Sequence, residues 1–358
     1  MPMDPSTKMI FNPCENKENQ YISILVNGLE KHGFDVNRLD DFLSSSKHFQ
    51  SIKLLHLNWF ENLDDSSAAR MWKSYFRKLV VLAAVRLGKK KLVWTMHNRL
   101  SHEKKSGKLS RILTKKIVSQ TDAIVIHSAV SKEILKSLYP NLKAKIVHIP
   151  HPDFVDVYGT MIPENTENKD AILKLLFLGA IKPYKNIELL IEIAKKFPES
   201  VHLTIAGNPN SEAYRSDLQK LAEKTSNITL QLKFIPDADL PKFIHESDLL
   251  ILPYSLESSL NSGTVILGFS YGRTVICPKI GTIDDLGAGE DVFDYTYTSQ
   301  AEHLQALEKQ VQKAITLYQS NPTSLMKKGH RMRDLVLKKN NKQDVTDSLI
   351  KLYESLLN

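Results

Sequence analysis

The chain has 358 residues, 42% hydrophobic and 25% charged, with a formal net charge of +8. That length exceeds one ordinary core and suits two domains, and the composition excludes a disordered or collagen-like chain. No apolar run reaches the roughly eighteen residues of a membrane span, and residues 1–11 lack a basic-then-apolar leader, so a cytoplasmic protein is expected.

The charge is unevenly spread. Residues 1–164 hold 25 Lys+Arg against 16 Asp+Glu, and the remainder 23 against 24. Within residues 66–120 fifteen basic side chains face one acidic one, Glu103. Such density suggests an anionic partner: a lipid surface at the inner face of the membrane, a phosphorylated acceptor or, less favoured, nucleic acid. Cys14 and Cys277 lack metal spacing and read as reduced thiols of a cytosolic protein.

Taken in order, residues 8–13 read as a strand, 17–32 as a helix stopped by Gly33, and 52–57 as a strand running into His56–Asn62. Residues 65–87 form an amphipathic basic helix, with Met71, Trp72, Tyr75, Phe76, Leu79, Val80, Leu82 and Val85 among Arg70, Lys73, Arg77, Lys78 and Arg86. Strands at 92–96, 122–127 and 143–149 alternate with a basic helix at 99–120 and another helix at 131–138. Asn12, residues 56–61, His97-Asn98, His127-Ser128 and His151 fall at the carboxyl ends of these strands, where doubly wound sheets bind ligands. Asn12, Asn58, Trp59, Glu61, Asn98 and His127 are therefore candidates for contacting a ligand. Trp59 would offer a ring face and Glu61 a carboxylate, a combination suited to a sugar.

Residues 153–170 are polar and aperiodic and read as a linker. Strands at 173–178, 201–206, 228–234 and 249–252 then alternate with helices at 186–196, 212–224, 239–246 and 262–271, followed by a strand at 273–278. Beyond Gly281 the pattern is helical, at 300–320, 323–337 and 345–357. The predicted division is 1–160 for a first α/β domain and 161–340 for a second. Residues 341–358 form a helix packing back toward the first.

Two loops carry anion chemistry. Residues 179–186 place Lys182 and Lys185 at a helix start, where ammonium groups and unpaired N–H groups suit phosphate oxygens. The second, residues 253–264, ends in Ser262, Gly263 and Thr264 at another helix start. No GxxxxGK[ST] and no GxGxxG follows a strand, which argues against a P-loop ATPase or a dinucleotide oxidoreductase. No Cys/His cluster has metal spacing, so no metal is expected, and Asp237-Ala238-Asp239 reads as a helix cap.

Residues 177–191 (FLGAIKPYKNIELLI), 201–209 (VHLTIAGNP) and 248–276, with LHLNWFE, VWTMHN, IVIHS and VHIPHP in the first half, resemble the GT-B glycosyltransferases of family 4. The resemblance implies an α/β chain of two Rossmann-like doubly wound parallel-sheet domains facing a cleft. It implies a UDP- or GDP-sugar donor as substrate, held by 161–340, with no further cofactor, and a glycan or lipid-diphosphate-linked acceptor held by 1–160 through the strand-end residues Asn12, Asn58, Trp59, Glu61, Asn98 and His127. The implied activity is of hexosyltransferase type, retaining and metal-independent, in cell-surface polysaccharide assembly. By the same resemblance His97 and Lys185 act on the donor sugar and diphosphate, Lys182 adding charge. Gly179, Asn208, Tyr254, Glu257, Asn261, Ser262, Gly263 and Thr264 hold the nucleotide sugar. No nucleic acid is implied, and a homo-oligomer is compatible with the reading.

Two departures stand out. Against the family loop G-R-x-x-x-x-K-G, Ala180 replaces the arginine and Asn186 the second glycine. The paired family glutamates fall at Ser259 and Leu267, leaving Glu257 as the nearest carboxylate. These losses leave a second reading open, a catalytically inactive GT-B subunit that supports a partner enzyme.

Overall fold

The computed structural model describes residues 7–16, 20–98, 107–163, 172–256 and 259–358. Two six-stranded sheets organise the chain, each wholly parallel. Parallel strands need crossovers and must be covered on both faces, which accounts for the apolar strands and the helix after nearly every one.

The first unit runs in order β1 (Thr7–Asn12), α1 (Tyr21–Lys31), β2 (Phe34–Asn37), α2 (Ser46–Ser51), β3 (Leu54–Asn58), α3 (Ala68–Leu87), β4 (Lys91–Met96), α4 (Gly107–Gln120), β5 (Ala123–Ile126), α5 (Ala129–Leu138) and β6 (Lys145–His148). Its strand order is β2-β1-β3-β4-β5-β6. The chain turns from β1 to β2 on one side and to β3 on the other, so the direction of winding switches between β1 and β3. Ser45 and Ser67 cap α2 and α3 by accepting the N–H groups of His48 and Arg70. The α1 face of Ile22, Leu25, Val26 and Leu29 lies in one core with Met9, Phe11 and Leu54.

The second unit runs β7 (Leu173–Leu178), α6 (Ile187–Lys196), β8 (Val201–Ala206), α7 (Glu212–Leu221), β9 (Ile228–Gln231), α8 (Leu240–His245), β10 (Leu249–Ile251), α9 (Gly263–Ser270), β11 (Thr274–Pro278), α10 (Gly281–Leu286), β12 (Phe293–Tyr295), α11 (Gln300–Ser320) and α12 (Thr323–Lys339). Its order β12-β11-β10-β7-β8-β9 puts the winding switch between β7 and β10. The last helix, α13 (Lys342–Leu357), belongs to the first unit, where Val345, Leu349, Leu352 and Tyr353 complete the core beside α1.

The units divide after Pro152 and again after Asn341, so the boundary falls earlier than residue 160. The physical reason lies in residues 153–158, which the sequence reads as linker. Asp153, Phe154 and Tyr158 donate their N–H groups to the Asn340 carbonyl, the Ser270 hydroxyl and the Tyr271 hydroxyl, and Phe154, Val155 and Tyr158 are buried. The segment is part of the second unit. Short edge strands β2 and β12 and helices α2 and α10 also stand where no periodicity announced them.

Candidate functional site

In the second unit the two loops beside the winding switch are those the sequence singles out. Open α/β sheets bind ligands at that crevice because the flanking helices leave in opposite directions and expose their N-termini there. The loop after β7 starts at Gly179, whose φ is +125°, and Gly207 at the end of β8 has φ +154°. A Cβ at Gly207 would stand 1.8 Å from the Gly179 carbonyl oxygen, so the strand ends approach too closely for any side chain. The chain then makes a 3₁₀ turn, Pro183–Lys185, and leaves it through Asn186 at φ 52°, ψ 45°. Asn is the residue besides glycine that best tolerates this left-handed conformation, so the replacement of the family glycine preserves the turn. Asn186 also donates its side-chain N–H to the Pro253 carbonyl at 2.8 Å, tying the first loop to the second.

Lys185 is thereby carried back over Gly179. A Cβ built on Gly179 would lie 3.6 Å from Lys185 Nζ and 3.7 Å from Thr264 Oγ1, so ammonium and hydroxyl converge on one point. The Tyr254 ring lies 5.5 Å from the ammonium. Tyr254 is buried, its hydroxyl accepts from Ser262 Oγ at 2.9 Å, and burial pushes its ionisation well up. It is a neutral floor beneath Lys185.

The helix start of α9 differs in one respect from expectation. Ser262 Oγ caps the Val265 N–H at 3.2 Å, and the Ser262 N–H is itself taken by Thr282 Oγ1 at 3.1 Å. Ser262 is thus the cap, and the N–H groups of Gly263 and Thr264 have no partner among the described residues. They point where a helix N-terminus attracts an anion. Both polar atoms of the half-buried Asn261 side chain are also buried without a partner among the described residues, a state costing about 1–3 kcal/mol unless a ligand meets it. Asn208 is exposed after β8, and its carbonyl accepts the Ile181 N–H at 3.0 Å. Lys182 enters the 3₁₀ turn half-buried. Glu257 lies outside the described residues. Leu267 is buried inside α9, so that position supplies no carboxylate.

Tyr297, absent from the sequence reading, holds this loop from behind. It donates to the Tyr254 carbonyl at 3.0 Å, accepts the Leu256 N–H at 2.9 Å, and stacks on His303 at 3.9 Å and 7°. Nothing in the sequence signals it, because the three-residue strand β12 just before it carries no periodicity.

The first unit gathers histidines and aromatic rings at its strand ends. His97 follows β4 and stacks on Trp59 at 4.0 Å and 17°. Trp59 holds φ 49°, a strained conformation for a bulky side chain. Asn58 accepts from His97 Nε2 at 3.0 Å and donates to the Asn12 carbonyl at 3.3 Å. Because the carbonyl can only accept, the Asn58 amide is oriented, and His97 carries its proton on Nε2. Nδ1 has no hydrogen bond among the described residues and is left as an acceptor.

Behind His97 lies buried Tyr21, with His97, His127 and His151 at 5.4, 5.5 and 4.9 Å from its ring. His127 donates from Nδ1 to the Ile149 carbonyl at 2.8 Å and accepts the Tyr21 hydroxyl on Nε2 at 3.0 Å. Both nitrogens are engaged, which removes His127 from the acceptor candidates and makes it a scaffold. His56 bridges Tyr353 of α13 and Thr95 of β4. Burial, then repulsion from neighbouring histidines, lowers the imidazoles: His56 and His151 to about 3, His97 well below its ordinary value, and His127 to about 4, where burial outweighs the bond to the Ile149 carbonyl and His148 is the repelling neighbour. All four are neutral at pH 7.

Glu61 is also corrected. Its carboxylate is buried and accepts Trp94 Nε1 at 3.0 Å, while its carbonyl accepts Ser110 Oγ at 2.7 Å. It anchors the interior rather than a ligand. Asn98 stands half-buried after His97. Among the described residues no group of three or more His, Cys, Asp or Glu could hold a metal ion, and no helix is long and apolar enough to cross a membrane.

The family profile of glycosyl transferases group 1 matches residues 161–267, the span holding both loops of the second unit. A GDP-mannose:glycolipid 4-beta-D-mannosyltransferase of Xanthomonas campestris pv. campestris is 26% identical over 268 residues, covering 73% of this chain and 72% of that protein. Among solved structures, sucrose-phosphate synthase from Thermosynechococcus elongatus superposes with a TM-score of 0.73 at 14% identity, over 98% of this chain and 99% of that one. Anabaena HepE in complex with UDP-glucose does so with a TM-score of 0.69 at 12% identity, over 97% and 99%. The fold expected from the motifs is thereby met, a GT-B pair of Rossmann-like units, and the group 1 profile together with relatives named as glycosyltransferases supports the expected GT4-like hexosyltransferase.

Proposed function

We propose that the second unit holds a nucleotide sugar, UDP- or GDP-linked, and that the sugar passes to a glycan or lipid-linked acceptor held by the first. The carrying observation is the convergence of Lys185 Nζ and Thr264 Oγ1 over Gly179, beside the open N–H groups of Gly263 and Thr264. In this reading the bond from the anomeric carbon to the diphosphate breaks, and charge grows on the departing oxygens. A fixed ammonium and helix N–H groups stabilise that charge without reorganising, so no metal is required. Asn261 contacts the nucleotide sugar with its unpartnered amide.

His97, neutral and with Nδ1 free to accept, takes a hydrogen bond from a sugar hydroxyl. The depressed basicity of all four imidazoles makes them poor proton acceptors near pH 7. That supports retention, in which the departing diphosphate itself takes the acceptor proton. The place of action is the cytoplasmic face of the membrane, in cell-surface polysaccharide assembly, in keeping with the glycolipid named for the Xanthomonas relative.

Purified protein incubated with GDP-mannose or UDP-glucose and lipid-linked glycans should release nucleoside diphosphate only when acceptor is present. Failure to release it from any donor and acceptor of a broad panel overturns the reading. Proton NMR of the product's anomeric signal tests retention. The buried Leu267 and the non-acidic Ser259 favour one alternative, a subunit that binds donor without turning it over. Donor binding with no turnover, unchanged by Lys185→Ala, would establish that alternative.

A further inference from the structure

The outward face of α3 carries a pattern that its docking on the sheet does not require. Its inner side is closed, with Val81, Leu82 and Val85 buried. On the opposite side Ala69, Trp72, Phe76, Val80, Ala83 and Leu87 are all exposed: Trp72 by 45%, Phe76 by 58%, Val80 by 56% and Leu87 by 84%. Spaced three or four apart, these residues lie in one stripe along the helix, about 30 Å long at 1.5 Å per residue. The Trp72 and Phe76 rings stack on each other at 5.7 Å and 25°. Single exposed apolar residues are ordinary, whereas a continuous stripe with two aromatic rings marks a contact surface.

The flanks are basic. Arg70, Lys73, Arg77 and Arg86 are exposed on α3, and Lys108, Arg111, Lys115 and Lys116 on α4, which packs against α3. Arg77 reaches Asp40 of the same unit. Neither helix contains an acidic residue. We propose that this face rests on an anionic lipid surface, the stripe entering the interfacial region while the flanking cations meet headgroup phosphates. A second copy of the chain fits less well, since stripe against stripe would bring basic flanks together and neither helix carries an acidic residue to offset them. Nucleic acid would satisfy the cations and leave the stripe in water.

Flotation of the full-length protein tests this, with vesicles of phosphatidylcholine and phosphatidylglycerol at 7:3 and with pure phosphatidylcholine. The protein should float with the anionic vesicles in ~0.1 M salt, and at least about tenfold less at ~0.5 M salt or with the neutral ones. Trp72→Ser with Phe76→Ser should reduce flotation at least about tenfold with the thermal midpoint retained, because both rings are exposed. Arg70→Gln and Lys73→Gln should each weaken it roughly fivefold. Absence of flotation, or flotation unchanged by the double serine variant, overturns the proposal. So does a concentration-dependent dimer that the same variant dissolves, which would assign the stripe to a second copy. Vesicle binding needs neither donor nor turnover, so its outcome is separate from that of the transferase reading.

Discussion

Lys185 and His97 both face a ligand in the proposed reaction, but they are held by different means. Lys185 depends on an asparagine in the left-handed region and a glycine that leaves room above it. Lys185→Ala should lower kcat roughly 10²- to 10³-fold, the scale of losing one fixed donor at a developing anion, with little change in stability. His97 depends on Asn58. Asn58→Ala would leave a buried imidazole N–H unpaired, at about 1–3 kcal/mol, and release the tautomer. A lower thermal midpoint together with a reduced kcat is expected, and a change in midpoint alone would mean that Asn58 only packs.

The buried histidines also set a pH dependence. Their folded affinities for protons lie below the ordinary 6.5, at about 3 to 4 for His56, His127 and His151. Between those values and 6.5 the unfolded chain binds more protons, so stability rises with pH through that window. The contribution is complete above about 6.5 and is lost as pH falls, at up to ~1.4 kcal/mol per pH unit for each group. Denaturant midpoints measured from pH 7 to pH 4 should fall steeply, and His151→Asn should flatten the slope.

At the scale of elements, the α/β alternation was legible because strands buried on both faces and amphipathic helices have distinct periods. The edge strands β2 and β12 were not, being only 4 and 3 residues long. The anion-binding loops were legible from Lys185 and from the serine-glycine start of α9. Their supports were not, because Tyr297 acts through a fold it does not announce in sequence. Glu61 and His127 were misread for a related reason: a position at a strand end does not say whether the side chain turns outward or toward Trp94 or Tyr21. Tyr297→Phe keeps the ring for its stack on His303 and loses the hydroxyl bonds to Tyr254 and Leu256. Donor KM should rise about two- to tenfold, the worth of one or two net hydrogen bonds, with the thermal midpoint nearly unchanged. Helix packing offers a contrasting test. A Cβ at Gly329 of α12 would fall 2.0 Å from the Gly272 carbonyl oxygen, where α12 crosses α9. Gly329→Ala should therefore cost about 1–3 kcal/mol or more and lower the thermal midpoint by several degrees.

At the scale of the molecule, α13 is the element on which the first unit depends. Val345, Leu349, Leu352 and Tyr353 are all buried in the core of the first unit. Full burial of such side chains is worth about 1.5–3 kcal/mol each, so their sum matches the roughly 5–15 kcal/mol by which a whole domain is stable. A chain ended at Asn341 should retain a folded 153–341 unit and lose the first, seen as rapid proteolysis confined to residues before 153.

The same chain path has a consequence for biogenesis. The second unit is an insertion within the first, entered after Pro152 and left after Asn341. At about 5–20 residues per second, the ribosome spends roughly 10 to 40 s on the insertion before α13 emerges. Throughout that interval the first sheet is made but lacks its closing helix, whereas the unit encoded later has every strand it needs by the time the interval ends. The chain therefore matures from the middle outward, and its N-terminal half is the part that a chaperone must shelter.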